Sequence, residues 1–430
     1  MSASQSVLIY AELLSNIRQV SVVCLLPTPS REATSAIISP DSQVFTIHHD
    51  GVETSVRLPG QVHVHNPPRE QKLPRSQKLG SKYLSWRLPL ATTQEHHVVP
   101  TPEDQIVPWS ANNLQSESSL TCRICSAVIV ESNIIKVWKD LPSENWAEMM
   151  EFWHCHKPHD HGHGHQHDDE GLTSKGYGAS SRISTQPSVG FVDLTSFLLS
   201  ETDISASNII KTTFSAELSR EADVCNEVSK DEELHQSQTG NTPIICGSCK
   251  TQLGVLNDQD ASVSLFKWQV HVNEQIQRNI DNSPNLSHCI SAMLLATMAR
   301  SGCSKSIILP MKSKGQPAQG IPQGDGNTQS LLNIWVFNSN ITFSSTKETR
   351  SPVKAVRLFY RMVSQNEADK LLDSMTSDVQ DITLPADAIE KIIGVLDNSN
   401  GLLPPNDRQL KEWKVGLLEK WDGKDPLVSS

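Results

Sequence analysis

Two pairs of cysteines, Cys122-Arg123-Ile124-Cys125 and Cys246-Gly247-Ser248-Cys249, constrain this chain more than any other feature of its sequence. Two residues between cysteines let both sulfurs of a tight turn face one metal ion. Two such turns complete the four-thiolate tetrahedron that structural zinc prefers. If all four meet, stretches separated by about 120 residues must lie side by side, a gap far longer than paired knuckles usually have. Beside a shared zinc site stand two other readings, two unrelated thiol pairs and a redox dithiol. The redox reading wants a strand-helix-strand setting, which neither pair has. Apolar, strand-like runs border the knuckles: 127–130 follows the first, 243–245 precedes the second and 253–256 follows it. The context is that of a zinc ribbon split by a long insertion.

The setting of the chain bears on how its nine cysteines are read. An odd number excludes complete pairing. No stretch approaches the roughly 18 to 20 apolar residues of a membrane span, since the best runs are 20–26 and 292–298. Arg18 interrupts the first apolar region before any small-residue cleavage site, so a secretory signal is not expected. The expected location is the cytoplasm, the nucleus or both, where thiols serve metal or catalysis more than disulfides. Lys and Arg number 37 against 48 Asp and Glu, and the net charge of -11 repels phosphate backbones and anionic lipid. Direct nucleic-acid binding and membrane association are not expected.

A chain of 430 residues exceeds the usual single domain. Short β-branched or alternating runs at 44–47, 54–58, 62–65 and 83–90 predict a β-rich lobe over 1–110. Within it, 66–82 carries Arg69, Lys72, Arg75, Lys78 and Lys82 against Glu70 alone, and reads as a solvated loop. A zinc-knuckle region follows over 111–275. Its amphipathic helix places Trp146, Met149, Met150 and Trp153 on one stripe, and long polar insertions lie at 157–186 and 215–240. Strands are expected at 191–199 and 265–272. The third region, 276–430, is an α+β lobe with a helix at 286–300 ended by Gly302, strands at 333–344, 353–362 and 413–418, and helices at 367–375 and 386–396. The fold class is α+β and β-rich: antiparallel sheets with inserted helices and a split four-cysteine, zinc-ribbon-like element.

Most enzyme signatures are missing. The sequence has no G-x-S-x-G elbow and no phosphate-cradling loop, and Gly324-Asp325-Gly326 lacks a third glycine and a preceding strand. The tract His154-Cys155-His156, then His159, His161, His163, His165 and His167, offers loose metal affinity. Its spacing misses the metallo-hydrolase pattern, which would need a histidine where Pro158 stands. Thiol nucleophilicity remains. Cys24 and Cys289 lie on apolar faces and read as core. Cys225 sits among Glu221, Asp223 and Glu227, which disfavour a thiolate. Cys155, flanked by two histidines, is the best candidate for a catalytic cysteine, with metal ligation and packing as its other readings.

Taken in order, Cys122-Arg123-Ile124-Cys125, Leu141-Pro142-Ser143-Glu144-Asn145-Trp146, Trp153-His154-Cys155-His156, Cys246-Gly247-Ser248-Cys249 with Leu253-Gly254, and Trp413-Lys414-Val415-Gly416-Leu417-Leu418 span most of the chain. This series resembles the HECT-like family of proteins that bind ubiquitin-conjugating enzymes. The resemblance implies a ubiquitin-protein ligase whose partners are a ubiquitin-conjugating enzyme, ubiquitin and a protein substrate, such as a cyclin or an mRNA cleavage and polyadenylation factor. It also implies acyl transfer through a cysteine thioester. HECT ligases keep their acceptor cysteine in a small C-terminal lobe, whereas the last cysteine here is Cys303. A RING mechanism is not expected either, because two knuckles supply four ligands where a cross-braced pair of zinc sites needs about eight. If a thioester forms, Cys155, Cys289 or Cys303 must carry it, or a knuckle cysteine, which metal would disable. The alternative is a non-catalytic, zinc-stabilised binding protein or chaperone for a client such as the endonuclease of mRNA 3'-end processing.

Overall fold

The computed structural model describes residues 6–63, 71–74, 79–91, 107–141, 185–212, 241–273, 283–311, 330–347, 351–374 and 377–422. The expected helix through Trp146, the histidine tract with Cys155, Cys225 in the 215–240 stretch and Gly324-Asp325-Gly326 lie outside the described residues.

The chain opens with seven strands, β1 (Leu8–Leu14), β2 (Gln19–Leu25), β3 (Ser35–Ile38), β4 (Val44–His49), β5 (Val52–Arg57), β6 (Gln71–Lys72) and β7 (Tyr83–Pro89), with a short 3-10 turn over Ser15–Ile17 between the first two. Alternation decides which face is buried. In β7, Leu84, Trp86 and Leu88 point inward while Arg87 and Pro89 are exposed. The sheet β5-β4-β3-β6 shares one apolar core with β1, β2 and β7, centred on Ile9, Val22, Ile38, Phe45, Ile47 and Trp86. Of the expected strand at 62–65, Val62 makes only an isolated bridge to Leu90, and residues 64 and 65 lie outside the described residues.

Ten strands follow: β8 (Ser119–Cys122), β9 (Val128–Val130), β10 (Val137–Asp140), β11 (Val189–Val192), β12 (Ser196–Ser200), β13 (Ile209–Lys211), β14 (Thr242–Cys246), β15 (Gln252–Asn257), β16 (Ser262–Phe266) and β17 (Val270–Asn273). They form a seven-stranded sheet, β10-β11-β12-β16-β15-β14-β13, and a three-stranded sheet, β17-β8-β9. All neighbours are antiparallel except β10 and β11. One core joins the two sheets and includes Leu120, Ile129, Phe197, Ile244, Leu265 and two cysteines, Cys122 and Cys246.

Two single strands of the sequence reading are broken. The run 191–199 is a hairpin of β11 and β12, because the Asp193 N–H bonds the Ser196 carbonyl at 2.9 Å and turns the chain. The run 265–272 is interrupted by a short 3-10 turn over Lys267–Gln269. That turn carries the Lys267 ammonium inward, where it donates to the carbonyls of Pro108 at 2.5 Å and Trp109 at 3.1 Å. Satisfying a buried amine overrides strand alternation here.

The remaining elements are α1 (Leu286–Ser301), β18 (Lys305–Pro310), β19 (Ser330–Ser345), β20 (Val353–Ser364), α2 (Gln365–Asp373), β21 (Val379–Leu384), α3 (Ala386–Asn400), β22 (Gln409–Leu410) and β23 (Trp413–Glu419). Asn285 opens α1 by accepting the His288 N–H at 3.0 Å, and Gly302, at φ +72, ends it as the sequence predicts. Ser364 caps α2 through the Glu367 N–H. Ile389, Ile392 and Leu396 of α3 are buried, and a Cβ on Gly416 of β23 would come within 2.7 Å of Leu396 Cδ2.

These strands do not form a lobe of their own. β1 pairs antiparallel with β19, so a nine-stranded sheet runs β22-β23-β20-β19-β1-β2-β7, with β18 beside β19 and β21 parallel to β18. Two units result, one from Met1–Ile106, Ile290–Pro310 and Gly320–Gly423, the other chiefly from Val107–Cys289. Of the regions expected at 1–110, 111–275 and 276–430, the first and third contribute strands to this one sheet. A buried cluster fixes that union, since Arg357 Nη2 of β20 meets Glu12 Oε2 at 2.5 Å and the Tyr10 hydroxyl at 3.1 Å. Among the described residues no helix is long and apolar enough to cross a membrane.

Candidate metal centre

The second unit brings the two cysteine pairs together. Cys122 is the last residue of β8 and Cys246 the last of β14, so each strand delivers its first sulfur at the mouth of the core. Beyond each strand the same turn forms. The Ser126 N–H bonds the Cys122 carbonyl at 2.9 Å, and the Lys250 N–H bonds the Cys246 carbonyl at 3.0 Å. Backward bonds from Cys122 N to Ala127 O and from Cys246 N to Thr251 O, both 2.8 Å, close the loops. Ser126 and Lys250 take left-handed backbones, φ 59 and φ 63, which costs non-glycine residues energy and is tolerated where the surroundings over-determine it.

The four sulfurs interleave. Cys122 Sγ lies 3.5 Å from Cys249 Sγ and Cys125 Sγ lies 3.5 Å from Cys246 Sγ, with all four within 4.8 Å of one another. A Zn–S bond of about 2.3 Å implies tetrahedral edges of about 3.8 Å, which falls inside this range, so the residues fit a four-thiolate metal site. Cys122 and Cys246 are buried, Cys249 is half-buried and Cys125 is exposed.

The thiols differ electrostatically. Burial pushes Cys122 up to about 12, against the pull of backbone N–H groups at Cys125 and Ile124. The Thr251 hydroxyl and backbone N–H beside Cys249 draw its thiol down to about 6. Coordination needs thiolates, so Cys249 is ready to bind, while Cys122 needs the charge of a cation to offset its desolvation.

Asn208 couples the knuckles, and nothing in the order of residues singles it out. Its side-chain amide donates to the Val128 carbonyl at 2.7 Å, just past the first knuckle, and its own carbonyl accepts the Gly247 N–H of the second at 2.8 Å. A Cβ at residue 247 would lie 3.2 Å from that carbonyl, which explains the glycine. Arg123 anchors the first knuckle from within: its guanidinium donates to the carbonyls of Pro284 at 2.6 Å, Ser283 at 3.3 Å and Trp268 at 3.4 Å. No sequence pattern marks these bonds, because each joins residues distant in the chain.

The other thiols are placed less favourably for chemistry. Cys24 is fully buried in β2, and burial alone pushes its thiol far up. Cys289 is fully buried on α1, and burial pushes it up to about 12 despite Lys267 and Arg123 nearby. Cys303 is half-buried, 3.7 Å from Gln380 Nε2. Cys155 lies outside the described residues.

Comparisons with known proteins agree with the order of motifs. Residues 12–415 match the family described as HECT-like ubiquitin-conjugating enzyme (E2)-binding. An uncharacterized protein of Schizosaccharomyces pombe is 25% identical over 336 residues, 75% of this chain and 80% of that protein. Another from Saccharomyces cerevisiae is 21% identical, over 80% of this chain and 83% of its own length. A Homo sapiens protein that bears the name of an E3 ubiquitin-protein ligase is 23% identical, over 69% of this chain and 72% of its own length. No solved structure matches the chain.

Proposed function

Because the chain belongs to the HECT-like ubiquitin-conjugating enzyme (E2)-binding family, we propose that it is a ubiquitin-protein ligase that docks a ubiquitin-charged conjugating enzyme and directs ubiquitin to lysines of a substrate protein. The family match over residues 12–415 carries this reading, and mammalian relatives bearing the name of an E3 ubiquitin-protein ligase support it. The ion of the four-cysteine centre is zinc in this reading, since four thiolates select a borderline-soft cation without geometric preference. Such an ion supplies folding energy, and Cys122, Cys125, Cys246 and Cys249 hold it.

Transfer is acyl substitution at a thioester. The substrate amine attacks the carbonyl carbon of the ubiquitin C-terminus, the C–N bond forms, the C–S bond breaks, and sulfur leaves as a thiolate while the amine gives up its proton to a base. In a two-step route a cysteine of this chain first takes ubiquitin from the conjugating enzyme by the same exchange between sulfurs, and Cys155 is our candidate. A one-step route, in which the chain only positions the charged enzyme and its client, has one observation in its favour. Among the described residues the thiols outside the knuckles are buried at Cys24 and Cys289 and half-buried at Cys303.

A single-turnover assay separates the routes. The protein is mixed with ubiquitin-charged conjugating enzyme, and adducts are resolved with and without reductant. A reductant-labile adduct lost in Cys155→Ala establishes the two-step route. Accelerated ubiquitin discharge without an adduct supports positioning alone. Neither adduct nor acceleration with any conjugating enzyme overturns the ligase reading.

A further inference from the structure

The two knuckles provide an internal comparison. Both close the same hydrogen-bonded turn with a left-handed residue after the second cysteine. The third position of each turn is exposed, and it holds Ser248 in one and Ile124 in the other. The metal asks only for sulfur, and the turn only for its backbone angles, so neither requirement selects isoleucine. Yet Ile124 is 66% exposed, the most of any large apolar side chain among the described residues.

A lone exposed apolar residue is ordinary, but Ile124 has company. Val128 and Ile210 are also exposed, at 37% and 39%. Both belong to the layer that Asn208 ties together, Val128 by the bond from the Asn208 amide and Ile210 by standing two residues on, paired with Ile245 beside the second knuckle. The tip is also held in place. The Arg123 N–H bonds Gln269 O at 2.9 Å and its guanidinium grips Pro284, Ser283 and Trp268, so the turn cannot fold down to hide its neighbour. A pre-ordered apolar point loses little entropy when a partner covers it.

Resting on the reading that the chain engages a ubiquitin-conjugating enzyme, we infer that the knuckle layer bearing Ile124, with Val128 and Ile210, is the surface on which that enzyme docks. The occupant follows from the family, whose described property is binding this enzyme, and the match over residues 12–415 contains the whole layer. A carrier that must leave to be recharged needs a small, transient interface with one or two apolar anchors. Zinc acts here as a brace, because the ligands on either side of Ile124 fix where it points.

The test uses the zinc-loaded full chain and a panel of purified ubiquitin-conjugating enzymes immobilised for biolayer interferometry. Ile124→Ser copies the serine already present in the second knuckle. It should weaken binding at least about tenfold, the loss of one modest anchor, with zinc content and Tm unchanged. Ile134→Ser, at another exposed apolar position of the same unit, should stay within about twofold, as expected outside an interface core. If the unaltered chain binds and Ile124→Ser binds equally well, the docking surface lies elsewhere and the inference fails. Equal losses in both variants would also sink it, as general stickiness. If the unaltered chain binds no member of the panel, the underlying E2-binding reading falls together with the inference.

Discussion

Cys122 Sγ sits 3.5 Å from Cys249 Sγ although 127 residues separate them, and the same distance joins Cys125 to Cys246. Each close pair therefore crosses between the knuckles. A metal held by all four sulfurs would tie β8 to β14.

Metal removal is accordingly expected to act on the fold. Structural zinc in small domains contributes on the order of 10 kcal/mol of apparent binding energy. If the centre holds zinc, Cys246→Ser or prolonged chelation should abolish its binding and lower Tm by roughly 10 °C or more. Elemental analysis beside calorimetry checks this. A Cys246→Ser protein keeping both its zinc and its Tm would remove the structural role.

Gly254 is the tightest glycine among the described residues of the second unit. A Cβ there would stand 2.0 Å from the Ser264 carbonyl oxygen, where β15 and β16 pair. The three nearest atoms are all backbone of β16, with no side chain to move aside, so Gly254→Ala should cost about 3 kcal/mol, the upper range for overpacking. Urea denaturation measures it, and a loss below about 1 kcal/mol would show that the sheet yields more easily than its geometry suggests.

Glu12 is 5% exposed and bonded to Arg357. Replacing Arg357 with Met strands a buried carboxylate, a change that costs about 3–5 kcal/mol when one partner of a buried pair is removed. The double variant Glu12→Gln with Arg357→Met should recover part of the loss. Equal stability of the single and double variants would mean that the pair is uncoupled.

Lys267 is fully buried, and burial draws its ammonium down to about 8 from 10.5. Between those values the unfolded chain holds the proton and the folded chain does not, so this group adds stability as pH rises from about 8 to 10.5 and adds nothing further below 8. The full effect is roughly 3 kcal/mol. Buried Cys24 and Cys289, with thiols pushed up, act in the opposite direction. The measurement is therefore the difference in pH slope between the native chain and Lys267→Met, whose stability should rise less, or fall more, with pH over this window. Parallel slopes would assign the pH dependence to other groups.

Local periodicity made many elements legible. Leu286–Ser301 follows its apolar stripe to Gly302, and Tyr83–Pro89, Val353–Ser364 and Trp413–Glu419 lie where the sequence predicts strands. Such patterns are visible because each residue's neighbours in the chain set its face. The cluster of four cysteines was legible for a chemical reason, since two thiol pairs, each with two residues between its cysteines, match a common metal-ligand pattern.

The order of motifs and the residue types determined the family, the β-rich class and the four sulfurs. Only the tertiary structure decided that β1 joins β19, that Lys267 breaks a strand to reach two carbonyls, that Asn208 links the knuckles, and that Ile124 faces outward while Arg123 faces in. The physical reason is the range of the interactions. Helical and strand periods act over a few residues and are written in the sequence, whereas pairing across 100 to 345 residues depends on which buried polar groups and apolar faces find partners.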